Sequence, residues 1–157
     1  MWSSAPKFDS NKCKVHLKML INRFKLLEAK KANLNKQAHR AVATLLSNGK
    51  PDSARIQVEH IIREDFVIEA YEILRQHAEL MLARYNVVVS EAEPRREIQE
   101  SLCTLIYAGW LLGAEVSELK VLLDQLQLKY GKPFVDEVTR NAQKYINPKV
   151  LHKLNYD

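Results

Sequence analysis

One uninterrupted basic stretch constrains the fold of this chain more than any other feature. Residues 7–48 contain no Gly or Pro, so a helix can begin at Ser10, a plausible N-cap, and run to Leu46. Such a helix would be about 54 Å long. Its apolar residues recur in a heptad rhythm at positions 17, 20, 24, 27, 34, 38, 41 and 45. This rhythm is typical of a seam against another long helix, so the sequence predicts a helical hairpin.

The charge on this predicted helix is almost entirely of one sign. Between Lys12 and Arg40, nine Lys or Arg residues accompany a single acidic residue, Glu28. At about 100° per residue, five cations lie roughly opposite the apolar arc. They are Lys14, Lys18, Lys25, Lys36 and Arg40. A face that only meets water usually mixes both signs, so this basic stripe is predicted to contact an anionic membrane surface or the acidic arms of polymer subunits.

The chain as a whole is electrically polar. Residues 1–55 carry a net charge of +9 and residues 56–157 carry −4, which together give the formal +5. A length of 157 residues fits a single domain, predicted over residues 1–157, with a core of its own. The polarity suits a positive end against phosphate or lipid headgroups, and it equally suits copies that associate through unlike ends.

The rest of the sequence also predicts helices. The turn at residues 47–52 is followed by a second arm, and Val87–Val89 is interpreted as the frayed end of that arm. The predicted elements are Ser53–Arg84, Arg95–Leu112, Ala114–Tyr130, a short helix Phe134–Tyr145 and a polar tail from Asn147. Acidic residues share one side of the second arm at Asp65, Glu69, Glu72 and Glu79. They suggest charge pairing within or between molecules, with a solvated face as the alternative.

A second apolar strip on the first helix predicts how the hairpin is covered. Val15, Met19 and Leu26 lie well away from the heptad seam. We therefore expect the helices within residues 95–130 to cover this strip and to lie against the lower half of the hairpin. The Gly49-Lys50 tip is expected to project, and the isolated protein is expected to be a closed monomer.

The sequence offers no catalytic constellation. It contains no phosphate-binding loop, dinucleotide fingerprint, HExxH or GxSxG motif. Glu-x-x-His pairs for a di-iron site are also missing, because Lys36, Gln57, Leu74 and Lys149 stand three residues before the candidate histidines. Cys13 and Cys103 lie outside any ligand-spaced cluster. We therefore expect no enzyme, no metal and no cofactor.

Targeting signals are equally sparse. Residues 1–8 lack the apolar core of a signal peptide, and no run approaches 18 apolar residues. We expect a reduced, cytoplasmic protein whose membrane contact is peripheral.

Several segments together resemble one family. They are RIQVEHIIREDFVIEAYEIL at 55–74, ELMLAR at 79–84, KMLINRFKLLEAKK at 18–31, TLIYA at 104–108, EVSELKVLLDQLQLKYGK at 115–132 and LHKL at 151–154. In this order they are similar to the increased-sodium-tolerance family, ESCRT-III-related regulators of the AAA ATPase that dismantles ESCRT-III polymers. The resemblance runs from about residue 7 to the C-terminus.

The resemblance implies an all-α fold, a long antiparallel hairpin with shorter helices packed against it. It also implies binding to ESCRT-III subunits of the charged multivesicular body protein type, modulation of the AAA ATPase and recruitment to endosomal membranes. Family members usually continue into a further amphipathic helix and a tail that binds MIT domains, whereas this sequence stops at Asp157. It is either a piece of a longer protein or a short form, and the ATPase contact is expected to be weak or indirect without that tail.

The segment from Glu115 to Tyr130 is more apolar than one packing face requires. It predicts a groove for an acidic amphipathic partner helix, with Lys120 or Lys129 as the charge clamp. The candidate lining is Leu119, Leu122, Leu126 and Tyr130. The alternative is that the family's further helix covers these residues.

A basic helical nucleic-acid-binding module is the alternative function. A net charge of +9 over 55 residues would suit phosphate contacts. However, Phe8 and Phe24 are the only aromatic residues in the basic arm proper, and Phe24 lies on the packing seam. We expect no nucleic acid among the partners.

Overall fold

The computed structural model describes residues 5–155, so the first four and last two residues of the predicted domain lie outside this description. Seven α-helices, one 3-10 turn and no strand occur within residues 5–155. They are α1 (Ser10–Ser47), α2 (Pro51–Ala83), α3 (Tyr85–Ser90), α4 (Arg96–Leu112), α5 (Ser117–Tyr130), α6 (Lys132–Arg140), the 3-10 turn (Ala142–Lys144) and α7 (Pro148–Leu154). The predicted all-α hairpin with shorter helices packed against it is confirmed.

Both ends of the first arm have a clear local cause. The N-cap is Asp9 and not the predicted Ser10, because the Asp9 carboxylate accepts a hydrogen bond from the Lys12 amide at 3.0 Å. The first arm is followed by Gly49, whose φ of 70° lies in the region that favours glycine. Pro51 then occupies the first turn of α2, where its missing N–H is not needed. The two arms therefore form an antiparallel hairpin.

Polar pairs set the register of the two arms. The buried Asn35 amide donates to the Asp65 carboxylate at 2.7 Å. Lys31, which interrupts the apolar heptad rhythm, lies 2.7 Å from Glu64 across the seam. Closer to the base of the hairpin, the Arg75 Nε lies 2.8 Å from a Glu28 carboxylate oxygen. A shift by one turn would separate these partners, so they specify one alignment of the arms.

The core lies at the lower half of the hairpin, as predicted. α5 packs against α1, and α4 packs against α2 and α5. The largest fully buried side chains are Phe24, Leu17, Leu20, Leu74, Met81, Ile98, Leu102, Leu105, Ile106, Leu119, Leu122 and Leu126. The upper half of the hairpin and its Gly49-Lys50 tip remain uncovered by these helices.

An ion pair fastens α5 to α1. The Arg23 guanidinium donates three hydrogen bonds to the Glu118 carboxylate, with the shortest distance 2.8 Å. Burial raises the pKa of Glu118, but hydrogen bonds from Arg23, the Glu118 amide and the Ser117 hydroxyl, together with the charge of Arg23, outweigh burial and hold this pKa below its ordinary value. Glu118 therefore remains charged at neutral pH and continues to bind Arg23.

The chain around residues 84–90 differs from the prediction. α2 ends at Ala83, and Val87–Val89 belongs to a separate helix, α3. Val88 is fully buried, and the Tyr85 hydroxyl donates to the Ser10 carbonyl at the start of α1. The interpretation as a frayed end was wrong because these side chains continue the core.

The predicted polar tail was also wrong. Asn147 caps α7 by accepting from the Lys149 amide at 2.9 Å, and Pro148 occupies the first turn. Val150 is buried in a small cluster with Tyr107 and Ile146, and Lys153 pairs with Glu69 on α2. Residues 148–154 thus pack against the second arm.

The prediction that later helices cover the second apolar strip was wrong. Val15, Met19 and Leu26 are 43%, 46% and 68% exposed. The physical reason is that α5 packs against the arc of α1 that contains Leu17 and Leu20, while α4 packs against α2 and α5. The strip of Val15, Met19 and Leu26 faces away from α4 and α5.

We expect Gly109→Ala to destabilise the fold by about 1–3 kcal/mol. A Cβ at this position would lie 2.9 Å from the Leu123 Cβ and 3.1 Å from the Leu119 carbonyl oxygen, so α4 and α5 would have to separate. Urea unfolding of both proteins measures the difference. Ala43→Gly, at an exposed position in α1, is the control and should cost about 1 kcal/mol. A stabilised Gly109→Ala protein would contradict this account of the α4–α5 contact.

We also expect the stability to decrease as the pH falls from about 6.5. Burial lowers the pKa of His77, although the charge of Glu100 partly opposes this, and its Nδ1 lies 2.8 Å from the Ser101 hydroxyl. The unfolded chain therefore binds a proton that the folded protein resists, which favours unfolding at lower pH. Urea unfolding at several pH values should show this slope, and it should be reduced in His77→Gln. Parallel slopes in both proteins would show that His77 is not its source.

Candidate interaction surfaces

The basic stripe on α1 is fully presented to solvent. Every one of its five side chains is exposed, and none forms an ion pair with another residue in the range 5–155. The Lys14 Nζ lies 5.9 Å from the centre of the Tyr85 ring, a cation–π contact. The members are Lys14, Lys18, Lys25, Lys36 and Arg40. The structure therefore brings all five predicted residues onto one uncompensated basic face.

Other cations of α1 have a different role. Arg23 lies beside the packed arc and pairs with Glu118 on α5, whereas Lys31 lies within the seam and pairs with Glu64 on α2. These two pairs join helices, whereas the stripe joins nothing within the described part of the molecule. The fold thus separates structural cations from cations that remain available to a partner.

The predicted partner groove on α5 is largely wrong. Leu119, Leu122 and Leu126 are fully buried core residues, so a partner helix cannot reach them in this closed structure. The same packed side includes Gln125, whose side-chain oxygen accepts from the Asp9 amide at 2.8 Å. Periodicity correctly placed the three leucines on one side but did not show that α1 and α4 already occupy it.

Two more predicted groove residues lie at the C-terminal end of α5. The Lys129 ammonium lies 5.5 Å from the centre of the Phe8 ring and 5.7 Å from that of Tyr130. The Tyr130 hydroxyl is buried and has no hydrogen-bond partner in the described part of the chain, and burial raises its pKa to about 12. This end of α5 is therefore closed by the segment that precedes α1.

An open groove exists on the outer side of α4 and α5, and it is not the groove predicted from the sequence. It is lined by Gly109, Trp110, Gly113, Ala114, Lys120 and Leu123. Trp110 is 57% exposed, and Lys120 is the predicted clamp that lies here, with Asp124 at 2.8 Å. Gly109 and Gly113, spaced four apart beside Trp110, could have indicated this groove in the sequence. Small residues at that spacing allow two helices to approach closely and leave space next to the large Trp110 ring.

The acidic side of α2 is mostly engaged within the molecule. The Asp65 carboxylate accepts a hydrogen bond from Asn35. Glu69 forms an ion pair with Lys153, and Glu79 forms one with Arg75 at 3.1 Å. Glu72 is exposed, and no interaction of its side chain occurs within the described residues. Pairing within the molecule therefore accounts for most of this predicted stripe.

The described residues form no group of three His, Cys, Asp or Glu side chains that could hold a metal ion. Cys13 and Cys103 are free and buried, and burial raises the pKa of the Cys103 thiol to about 12. Within residues 5–155 no helix combines the length and the apolar character needed to cross a bilayer.

A family model described as "Ist1: Regulator of Vps4 activity in the MVB pathway" matches residues 14–157. The chain belongs to the Ist1 family. The match begins in the first turns of α1 and covers all the later helices, in agreement with the resemblance seen in the sequence.

Similar proteins agree with this assignment. An IST1-like protein of Dictyostelium discoideum is 38% identical over 156 residues, which are 99% of this chain and 42% of that protein. The vacuolar protein sorting-associated protein IST1 of Saccharomyces cerevisiae is 38% identical over 135 residues, 81% of this chain and 45% of its own. The chain thus spans less than half the length of these curated relatives.

A solved structure shares the fold. The crystal structure of the S. cerevisiae Ist1 N-terminal domain in complex with the Did2 MIM motif matches with a TM-score of 0.85 and 33% identity. The match covers 98% of this chain and 84% of the yeast chain.

We expect the double reversal Lys18→Glu and Lys25→Glu to change the unfolding free energy by less than about 1 kcal/mol, because exposed charges without partners contribute little to folding. Thermal unfolding followed by circular dichroism measures this. Glu118→Gln is the contrasting variant and should cost about 1–3 kcal/mol, because it removes the negative charge of a buried acceptor that pairs with the Arg23 guanidinium. If the Lys18/Lys25 variant unfolds instead, the stripe is part of the folding core.

Proposed function

We propose that this chain is an ESCRT-III-like assembly and regulatory module. It binds ESCRT-III subunits of the charged multivesicular body protein type, assembles with them at endosomal membranes and thereby modulates the disassembly ATPase. The single observation that carries the proposal is the uncompensated basic face of α1, presented on the hairpin that Ist1-family proteins share. The described helices act as one domain in this role.

The basic face suits an acidic polymer. Its five side chains extend along α1 from Lys14 to Arg40, about 39 Å on a helix of 1.5 Å rise. Acidic arms of neighbouring subunits or an anionic bilayer supply charge along a comparable length, and the summed field steers association. The rigid helix presents these charges without ordering on binding, which reduces the entropic cost.

Partner recognition is the second part of the proposal. The yeast Ist1 domain was crystallised with a Did2 MIM motif. For the present chain we propose that an acidic amphipathic helix binds the open groove on α4 and α5. Trp110 offers an apolar surface there, and Lys120 offers a positive charge beside it. Lys129 and Tyr130 border a separate, closed region at the other end of α5.

Regulation of the ATPase is proposed to act through assembly and not through chemistry. The family is described as a regulator of Vps4 activity. A module that fixes how subunits are arranged changes what the ATPase can engage, and it needs no cofactor. We propose no enzymatic activity for this chain.

Co-assembly should depend on the basic face. Lys18→Glu with Lys25→Glu is expected to reduce co-sedimentation with a polymerising ESCRT-III subunit at least about tenfold at low salt, because four units of positive charge are lost from the contact. The matched control is Lys144→Glu with Lys149→Glu, which changes the same charge at exposed positions distant in sequence. Equal losses in both variants would show that only net charge matters.

Peptide binding should depend on the α4–α5 groove. Titrating a labelled C-terminal helix of an ESCRT-III subunit should give an affinity reduced about tenfold in Trp110→Ala and in Lys120→Glu, since each removes one anchor. Lys132→Glu is the control, because Lys132 is also exposed and also faces an acidic residue four positions ahead. Unchanged affinity in both folded groove variants would place the partner elsewhere.

A nucleic-acid mobility shift in parallel tests the alternative function. Tight nucleic-acid binding by the unchanged chain, lost in the Lys18/Lys25 variant, together with no co-assembly of the unchanged chain, would overturn the assembly proposal. The salt dependence of any shift should be measured, since phosphate contacts weaken steeply with salt.

A further inference from the structure

The apolar strip on α1 remains without a partner in the folded protein. Val15, Met19 and Leu26 are 43%, 46% and 68% exposed, although later helices were expected to cover them. Spacings of four and seven residues place the three side chains within an arc of about 40° on an ideal helix. They therefore form one line, about 16 Å long, on the surface of α1.

This line lies opposite the packed side of the helix. Leu17 and Phe24, both fully buried, stand about 180–200° around the helix from Val15. The helices that cover the core are consequently on the far side of α1. A flat surface can approach the line along its whole length.

Unpaired lysines border the line on both sides. Lys18 and Lys25 lie about 60–80° to one side of Val15, and Lys12 and Lys30 lie about 60° to the other. All four are exposed and form no ion pair within the described chain. Beyond residue 29 the line becomes polar at Asn33, and the basic stripe continues alone through Lys36 and Arg40.

The chemistry of this surface fits a lipid bilayer. A narrow apolar line with lysines on both edges matches a helix in the membrane interface, where aliphatic stems lie among headgroups and ammonium groups reach phosphate. Val15, Met19 and Leu26 stand on the outer surface of a single helix, where a bilayer surface can contact all three. Headgroups and acyl chains adapt to such a face.

We propose that the N-terminal half of α1 lies flat in the surface of an anionic bilayer and inserts Val15, Met19 and Leu26 between the headgroups. This inference rests on the proposed function, in which the same face meets an anionic surface, and adds that the contact is apolar as well as electrostatic. The lysines supply attraction at long range, and the apolar line holds the helix at the surface when salt screens the charges.

The test uses vesicles of phosphatidylcholine with phosphatidylserine and the double variant Met19→Asn/Leu26→Asn. We expect this variant to bind about tenfold more weakly than the unchanged chain at about 1 M salt, where the Debye length is about 3 Å. The matched control, Leu46→Asn/Ile56→Asn, removes two exposed apolar side chains at the hairpin tip and should bind like the unchanged chain. Circular dichroism confirms that each variant folds.

Insertion itself can be observed with an environment-sensitive fluorophore at Met19→Cys. The native Cys13 and Cys103 are fully buried, so labelling is directed to the new thiol. On vesicles we expect a blue shift and quenching by spin-labelled lipid, and neither at the Ile56→Cys control. A water-exposed probe, or equal binding of the Met19/Leu26 variant and the unchanged chain, would overturn the proposal.

Co-sedimentation with an ESCRT-III subunit distinguishes this inference from the proposed function. We expect Met19→Asn/Leu26→Asn to retain co-assembly while losing salt-resistant vesicle binding. If the variant loses co-assembly and the unchanged chain does not insert, the line is a protein interface and membrane insertion is wrong. If the unchanged chain inserts but never co-assembles, the proposed function fails while the insertion measurement stands.

Discussion

The burial of one arc in the lower half of α1 determines the rest of the structure. Leu17, Leu20 and Phe24 are fully buried in the core that α2 and α5 share with α1. This packing fixes the rotation of α1 about its own axis, because any turn of the helix would bring lysines into the core at a large desolvation cost. The opposite face is thereby committed to solvent, with the basic stripe and the apolar line upon it. Packing and interaction surface are two consequences of one orientation.

The hairpin divides along its length into parts that are held by different forces. The lower half is held by apolar burial, whereas the upper half is aligned by Asn35 with Asp65 and by Lys31 with Glu64. Polar seams add little net stability but strongly disfavour other registers, because a shifted register leaves buried groups without partners. The upper half can therefore remain a thin two-helix arm without losing its alignment.

The sequence predicted the hairpin and the basic face because both depend on local rules. Gly and Pro mark the helix ends, and helical periodicity shows which residues share a side. Periodicity does not show which of two apolar sides receives a neighbour, and it therefore failed for Met19 and for Leu122. The first was expected to be covered and is exposed, while the second was expected to be open and is buried. The α7 helix was missed because only three apolar residues within seven mark its packing face.

The division of cations on α1 explains how a surface can be strongly charged without weakening the fold. Arg23 beside the packed arc and Lys31 within the seam pair with acidic partners on α5 and α2. The lysines of the basic stripe lie further around the helix and are exposed to solvent. Because their hydration is the same in the folded and unfolded chain, they contribute almost nothing to stability. Their repulsion is distributed along a helix of 38 residues, so a multivalent anionic surface can relieve it over the whole length at once. Association, and not folding, is the process on which this charge acts.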